Sequence, residues 1–122
     1  MRTLGYIIGL LFLCSCAHEA SYSRPDPADF PPAIISNAAD CAVLGGAWSR
    51  AGMMGTELCS VPTKDAGLPC KDNIECISVC VAPEGAKPGK RVTGTCYGST
   101  NTLGTCLALV KEGKAQGALC VD

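Results

Sequence analysis

Histidine is almost missing from this chain of 122 residues, which has one, His18. Catalysis by a serine or cysteine nucleophile needs a base beside it, and His18 lies far before the cysteine-rich part of the sequence. There is no GxGxxG or Walker-type phosphate loop. The carboxylates of the cysteine-rich part lie in no recognisable catalytic setting; they are Glu57, Asp65, Asp72, Glu75, Glu84 and Glu112. We therefore expect no catalytic residues, no cofactor and no enzymatic activity.

An excess of positive charge is also missing. The formal net charge is −1 and the isoelectric point is about 5.7. Proteins that bind nucleic acid present a strongly basic face to the phosphate backbone. The composition therefore gives no reason to expect a nucleic-acid partner.

Aromatic side chains make up only 5% of the residues, whereas there are ten cysteines. A small domain with few large side chains buries too little apolar surface to fold on that alone, and crosslinks are the usual remedy. We therefore expect a small disulfide-rich, β-rich domain with short strands, hairpins and long loops.

The cysteine spacing favours disulfides over metal binding or redox catalysis. Zinc sites and thioredoxin-like sites use closely spaced pairs such as CxxC. No CxxC occurs here, and Cys70, Cys76 and Cys80 are separated by five and three residues. We expect no metal site. The predicted disulfide cysteines are Cys41, Cys59, Cys70, Cys76, Cys80, Cys96, Cys106 and Cys120. Their number is even, so every thiol can be paired, but the sequence leaves the pairing open.

Residues 1–15 are typical of a lipoprotein signal peptide. A short positive start precedes an apolar run from Leu4 to Leu13, which is too short to span a bilayer. Leu13-Cys14-Ser15-Cys16 then resembles a bacterial lipobox, which predicts lipidation at Cys16 and a membrane partner through the lipid anchor. Lipidation at Cys14 fits less well, because bulky Leu13 would directly precede the cut.

A second interpretation of the same residues is cleavage after Ala17, which would release a soluble secreted or periplasmic protein. Lipidation is the preferred interpretation. Ala17 follows Cys16 where an aspartate would signal inner-membrane retention, so we expect an outer-membrane lipoprotein that faces the periplasm.

Residues 16–40 are predicted to be a lipid-anchored tether, because they contain four of the eight prolines. Residues 41–122 are predicted to be the disulfide-stapled domain. Hairpins are expected at 46–61 and 105–121, a strand at 91–97, and a short helical turn at 72–79 capped by Asp72.

Two features of the domain have both a structural and a functional interpretation. Trp48, the only tryptophan, is expected to be the main core residue, and a role as an exposed anchor is the alternative. Residues 82–94 are expected to form a mobile loop. Its cations, Lys87, Lys90 and Arg91, are the candidate binding residues, with a solvated loop as the simpler interpretation.

Two patterns together resemble a group of small cysteine-rich exported proteins of proteobacteria without an assigned function. One is C-x3-G-G-x-W from Cys41 to Trp48; the other is P-T-x-D-A-G-x-x-C-x-D-x-x-x-C-x3-C from Pro62 to Cys80. The end of the chain, Thr105 to Asp122, is similar to the same group. The resemblance implies an exported or lipid-anchored bacterial domain and carries no activity or functional residue.

The leading prediction is therefore a non-enzymatic lipoprotein of the bacterial cell envelope that acts by protein or surface binding, with a possible envelope protein partner. Two alternatives remain. The domain is a periplasmic inhibitor or immunity protein against an envelope hydrolase, or it is a purely structural component of the envelope.

Overall fold

The computed structural model describes residues 24–32 and 34–122. The predicted signal peptide, the lipidation site Cys16 and His18 lie outside this part of the chain. The described residues form two antiparallel sheets and a few short helical segments, which confirms the expected small, disulfide-rich β fold. None of the helices in this part is long and apolar enough to cross a membrane.

The first unit packs a short helix on a two-stranded hairpin. Helix α1 (Ala38–Val43) is capped by Asn37, whose Oδ1 accepts from the Asp40 backbone N–H at 2.9 Å. Strands β1 (Ala47–Ala51) and β2 (Thr56–Ser60) confirm the hairpin expected at 46–61. The Cys41–Cys59 disulfide ties the helix to β2. The helix was not expected, and it begins within the last residues of the predicted tether.

The second unit is a sheet of five antiparallel strands, in the order β3-β5-β4-β6-β7. The strands are β3 (Pro69–Cys70), β4 (Cys80–Val81), β5 (Gly94–Cys96), β6 (Thr105–Lys111) and β7 (Lys114–Val121). Strands β6 and β7 confirm the hairpin expected at 105–121. Glu112 and Gly113 connect them with positive φ angles of 49° and 71°, as a tight two-residue turn requires. The strand expected at 91–97 is shorter and spans only β5.

The core of this sheet is made of disulfides. Cys70–Cys80 and Cys76–Cys96 pack against Val110, which is fully buried. A 3-10 turn at Asn73–Glu75, capped by Asp72 as expected, lies between Cys70 and Cys76 in the chain. Cys106–Cys120 joins β6 to β7, so all eight predicted cysteines are paired. Disulfide sulfur atoms fill this core, whereas large apolar side chains fill the cores of larger domains.

Trp48 is not the core residue that the sequence led us to expect. It lies half-buried on β1, directly opposite Cys59, and it is not among the buried residues of the core. The expectation was wrong because half-cystines, which are small and readily buried, fill the interior in place of an indole.

At Gly94, strand β5 lies so close to this core that there is no room for a side chain. A Cβ on Gly94 would lie 2.5 Å from the Val81 carbonyl oxygen and 2.8 Å from both Cys80 Sγ and Val110 Cγ2. Gly94→Ala should therefore destabilise the fold by about 1–3 kcal/mol through overpacking, measured by urea unfolding under non-reducing conditions. Gly98→Ala is the control, since its Cβ would meet only Ala66 at 3.5 Å. Equal stability of the two variants would contradict this account.

The disulfides should also differ in how readily they are reduced. Cys106 and Cys120 are both exposed, whereas Cys70, Cys76, Cys80 and Cys96 are buried. Thiol–disulfide exchange needs a thiolate to reach a sulfur atom, so limited reduction of the native protein should open Cys106–Cys120 before either core disulfide. Alkylation of the released thiols, followed by peptide mass spectrometry, shows the order in which the disulfides are reduced. First labelling at Cys76 or Cys96 would be the contrary result.

Candidate functional site

The buried cysteines form the only group in the described residues that has the geometry of a metal site. The sulfur atoms of Cys70, Cys76 and Cys96 lie within 4.8 Å of one another. All three belong to disulfides, however, so they offer no thiolate to a metal ion. The cluster is structural in this oxidised state.

The carboxylates of the knot are used as backbone acceptors. Asp72 and Glu75 form a reciprocal capping box around the 3-10 turn. The Asp65 side chain is buried, and its Oδ2 accepts from the Ile77 N–H at 2.7 Å. The contacts of Asp72 confirm the cap expected from the sequence, whereas Asp65 accepts from a residue twelve positions further along the chain.

Asp72 also connects the knot to the tip of the β6–β7 hairpin. Its Oδ2 accepts from the Glu112 N–H at 2.8 Å, and the Lys71 carbonyl accepts from the Gly113 N–H at 2.7 Å. The hydrogen bond from Glu112, followed by that from Ile74, lowers the pKa of Asp72 below its ordinary value, with a smaller contribution from Lys111. These contacts fix the position of the hairpin tip.

Residues 82–94 are more ordered than the mobile loop expected from the sequence. The Gly89 N–H donates to Ala115 O at 2.8 Å, the Ala115 N–H to Lys90 O at 2.9 Å, and the Val92 N–H to Gly113 O at 3.0 Å. The last part of the loop thus runs beside the start of β7, where Arg91 and Lys114 form a single β-bridge. The chain then enters β5 at Gly94, which lies against Val110.

This pairing creates a row of three cations across the sheet. Arg91 lies directly opposite Lys114, and Lys114 lies directly opposite Lys111. Side chains of directly paired residues point to the same face, with Cβ atoms about 4.5–5.5 Å apart. All three residues are exposed. We call Arg91, Lys111 and Lys114 the basic row.

Lys71 extends the basic row on one side. It lines a shallow groove of about 320 Å³ together with Arg91, Val92, Thr93 and Gly113. Two cationic side chains and one hydroxyl therefore border the same open space. That donor set suits an anion, since Lys, Arg and Thr all donate hydrogen bonds.

The row has no ion-pair partner among the described residues, where the salt bridges are Arg50–Glu57 and Lys64–Asp29. Glu112 lies in the turn between Lys111 and Lys114, and Asp72 is already engaged with backbone donors. The charge of the basic row is therefore only partly compensated by its neighbours.

A second groove, of about 510 Å³, lies between residues 83–88 and the β6–β7 hairpin. Small or rigid residues form its walls, with Pro83, Ala86 and Pro88 on one side and Ala108 and Ala118 on the other. Its lining offers few polar side chains, so it lacks the converging polar groups that orient a small ligand.

No family model, no curated protein and no solved structure matches this chain.

The sequence found one member of the basic row and missed two. Arg91 belonged to the predicted binding loop. Lys87 and Lys90 are exposed on the turn before it, with the Lys90 N–H donating to Lys87 O at 3.1 Å. Lys111 and Lys114 flank a turn that the sequence did mark, but it gave no signal that residues 89–92 would pair beside that turn.

The lowered pKa of Asp72 predicts how its contribution to stability depends on pH. Because its folded-state pKa lies below the unfolded value, the carboxylate stabilises the fold above about pH 4, and this stability is lost as the pH falls through the folded pKa. Asp72→Asn should cost about 1 kcal/mol at neutral pH, because Ile74 and Glu112 donate to different carboxylate oxygens and one of these becomes an NH2 group, which cannot accept.

The measurement is thermal unfolding of Asp72→Asn and the unsubstituted protein over a series of acidic pH values. The two melting curves should converge as the pH falls below about 4. A difference in melting temperature that stays constant from neutral to strongly acid pH would show that this carboxylate does not stabilise the fold through its charge.

Proposed function

We propose that this protein is a non-enzymatic, lipid-anchored binding protein of the bacterial cell envelope, and that the basic row binds an anionic ligand. The single observation that supports this best is the direct pairing of Arg91 with Lys114 and of Lys114 with Lys111 on neighbouring strand segments. Like charges in directly opposed positions repel, at a cost of a few tenths of a kcal/mol to about 1 kcal/mol for each pair. An anion bound across the row would remove that repulsion.

The net charge of the whole chain does not oppose this role. The formal charge of −1 is the sum over the whole molecule. An anion within a few ångströms of the surface responds mainly to the charges nearest to it. Lys71, Lys87 and Lys90 add further exposed cations in or beside the hairpin and its neighbouring loop. Cations therefore outnumber carboxylates around the row, although the protein as a whole is nearly neutral.

The proposed location rests on the sequence and on the crosslinks. Disulfides persist in oxidising compartments such as the periplasm, which is compatible with export. Lipidation at Cys16 would anchor the chain to the outer membrane, and a proline-rich tether at ~3.1 Å per residue would hold the domain within tens of ångströms of the lipid surface. A soluble periplasmic form remains the alternative location.

The inhibitor alternative has one observation in its favour. The loop between Cys80 and Cys96 is held at both ends by core disulfides and in the middle by hydrogen bonds to β7. A loop held in one conformation loses little entropy when it enters a partner's cleft. For a purely structural component, by contrast, the identity of the exposed cations should not matter.

Charge reversal tests the proposed function. The double variant Arg91→Glu/Lys114→Glu should lose retention on a phosphate-bearing resin at about 0.1 M salt, where the unsubstituted protein still binds. The matched control is Arg50→Glu/Lys64→Glu, which makes the same change of four charge units, from −1 to −5. Arg50 and Lys64 are exposed and lie in surface ion pairs, so their replacement should cost little stability.

The readout is the salt concentration at which each protein elutes. Retention of the control with loss of the basic-row variant assigns anion binding to the row. Equal elution of both variants would refute the proposal, because binding would then follow net charge alone. Weak retention of the unsubstituted protein at low salt would refute it as well.

A further inference from the structure

The outer face of the β6–β7 hairpin carries an apolar strip next to the basic row. Side chains alternate along a strand, so Leu107 and Leu109 point to the same face as Lys111. Leu119 lies directly opposite Leu107, and Lys114 lies directly opposite Lys111, which puts both β7 residues on that face too. The other face carries Val110 and Ala115, which enter the core at the closed end of the hairpin. Toward the open end the same face carries Cys106, Ala118 and Cys120, which are exposed.

The side chains of this strip meet in one shallow crevice. Val79, Thr102, Leu107, Leu109, Leu119 and Val121 line a volume of about 60 Å³. The space is too small for a ligand of ordinary size to be enclosed. Leu119 is 59% exposed, and the remaining side chains are half-buried. Leu119 is therefore the exposed part of the strip, and it lies at the rim of a half-buried apolar crevice.

The basic row and the apolar strip together make one amphipathic sheet face. The row lies at the closed end of the hairpin, and Leu107 lies four residues from Lys111, or about 13 Å along the strand. We infer that this face docks on an anionic lipid surface, with the cations at the phosphates and Leu119 at the boundary with the acyl chains. The inference rests on the proposed function, since it names the anionic ligand of the same row.

Charge complementarity favours lipid over a soluble anion. A free phosphate would use the cations and leave the strip exposed to water, whereas a lipid monolayer offers phosphates and hydrocarbon in one plane. The neighbouring turn contributes Glu112 as its one carboxylate, and Thr102 and Thr105 are neutral. Asp122 follows Val121 at the far end of the strip, so the positive charge is concentrated at the closed end of the hairpin. Cations beside apolar side chains are typical of interfacial membrane-binding surfaces.

The test measures partition of the protein into lipid vesicles. The mature chain is prepared with Cys16→Ser, so that no acyl chain contributes, and is sedimented with phosphatidylcholine alone or with an equimolar mixture of phosphatidylcholine and phosphatidylglycerol. It should bind the anionic mixture and leave the neutral vesicles unbound. Arg91→Gln/Lys114→Gln should weaken binding roughly 25-fold, at about 1 kcal/mol for each cation.

Leu119→Ser is the variant that separates lipid from a soluble anion. It should weaken vesicle binding roughly tenfold and leave retention on the phosphate resin unchanged, because it removes apolar contact and no charge. Met54→Ser is the matched control, since Met54 is a 90% exposed apolar residue in the turn of the other hairpin. Its vesicle binding should equal that of the unsubstituted protein.

Each contrary outcome has a distinct meaning. Retention on the resin without binding to anionic vesicles would overturn the lipid inference, leave the proposed function standing and point to an acidic protein partner. Unchanged vesicle binding by Leu119→Ser would also overturn it, as would release from vesicles by millimolar glycerol phosphate. Failure on both resin and vesicles would refute the proposed function itself.

Discussion

The structure depends on two disulfides that share one small core. Cys70–Cys80 and Cys76–Cys96 pack together around Val110, and β3, β4 and β5 are each held by a cysteine at or near their end. Those three strands have only two or three residues each, which is too few for their hydrogen bonds to hold a sheet together. The disulfides provide the stability that the short strands and the few apolar side chains cannot, because they restrict the unfolded chain.

The same knot determines where the long hairpin lies. Val110 and Ala115 enter the core from β6 and β7, while the Asp72 carboxylate and the Lys71 carbonyl hold the turn at Glu112 and Gly113. Because the inner face is occupied in this way at the closed end of the hairpin, Lys111 and Lys114 on the outer face are left exposed to solvent there. The knot thereby supports the end of the hairpin that carries the basic row.

A stapled scaffold of this kind suits recognition by a surface more than by a cavity. The two grooves lined by β6 and β7 bring few polar groups together, while the basic row and the apolar strip lie side by side on the sheet. Rigid presentation keeps the entropy cost of binding low. It also explains how a chain with a formal charge of −1 can offer a cationic face, since pairing in the sheet, and not composition, concentrates the charge.

The sequence by itself determined the class of fold, the two hairpins and the cap at Asp72, because cysteine parity, turn residues and strand alternation are local signals. It did not determine α1, which is only six residues long, or the place of Trp48, since burial depends on what else fills the core. Only the tertiary structure decided which cysteines pair, that residues 89–92 run beside β7, and that Arg91 therefore faces Lys114. Contacts between distant residues are set by the closure of the whole sheet, and no local pattern encodes them.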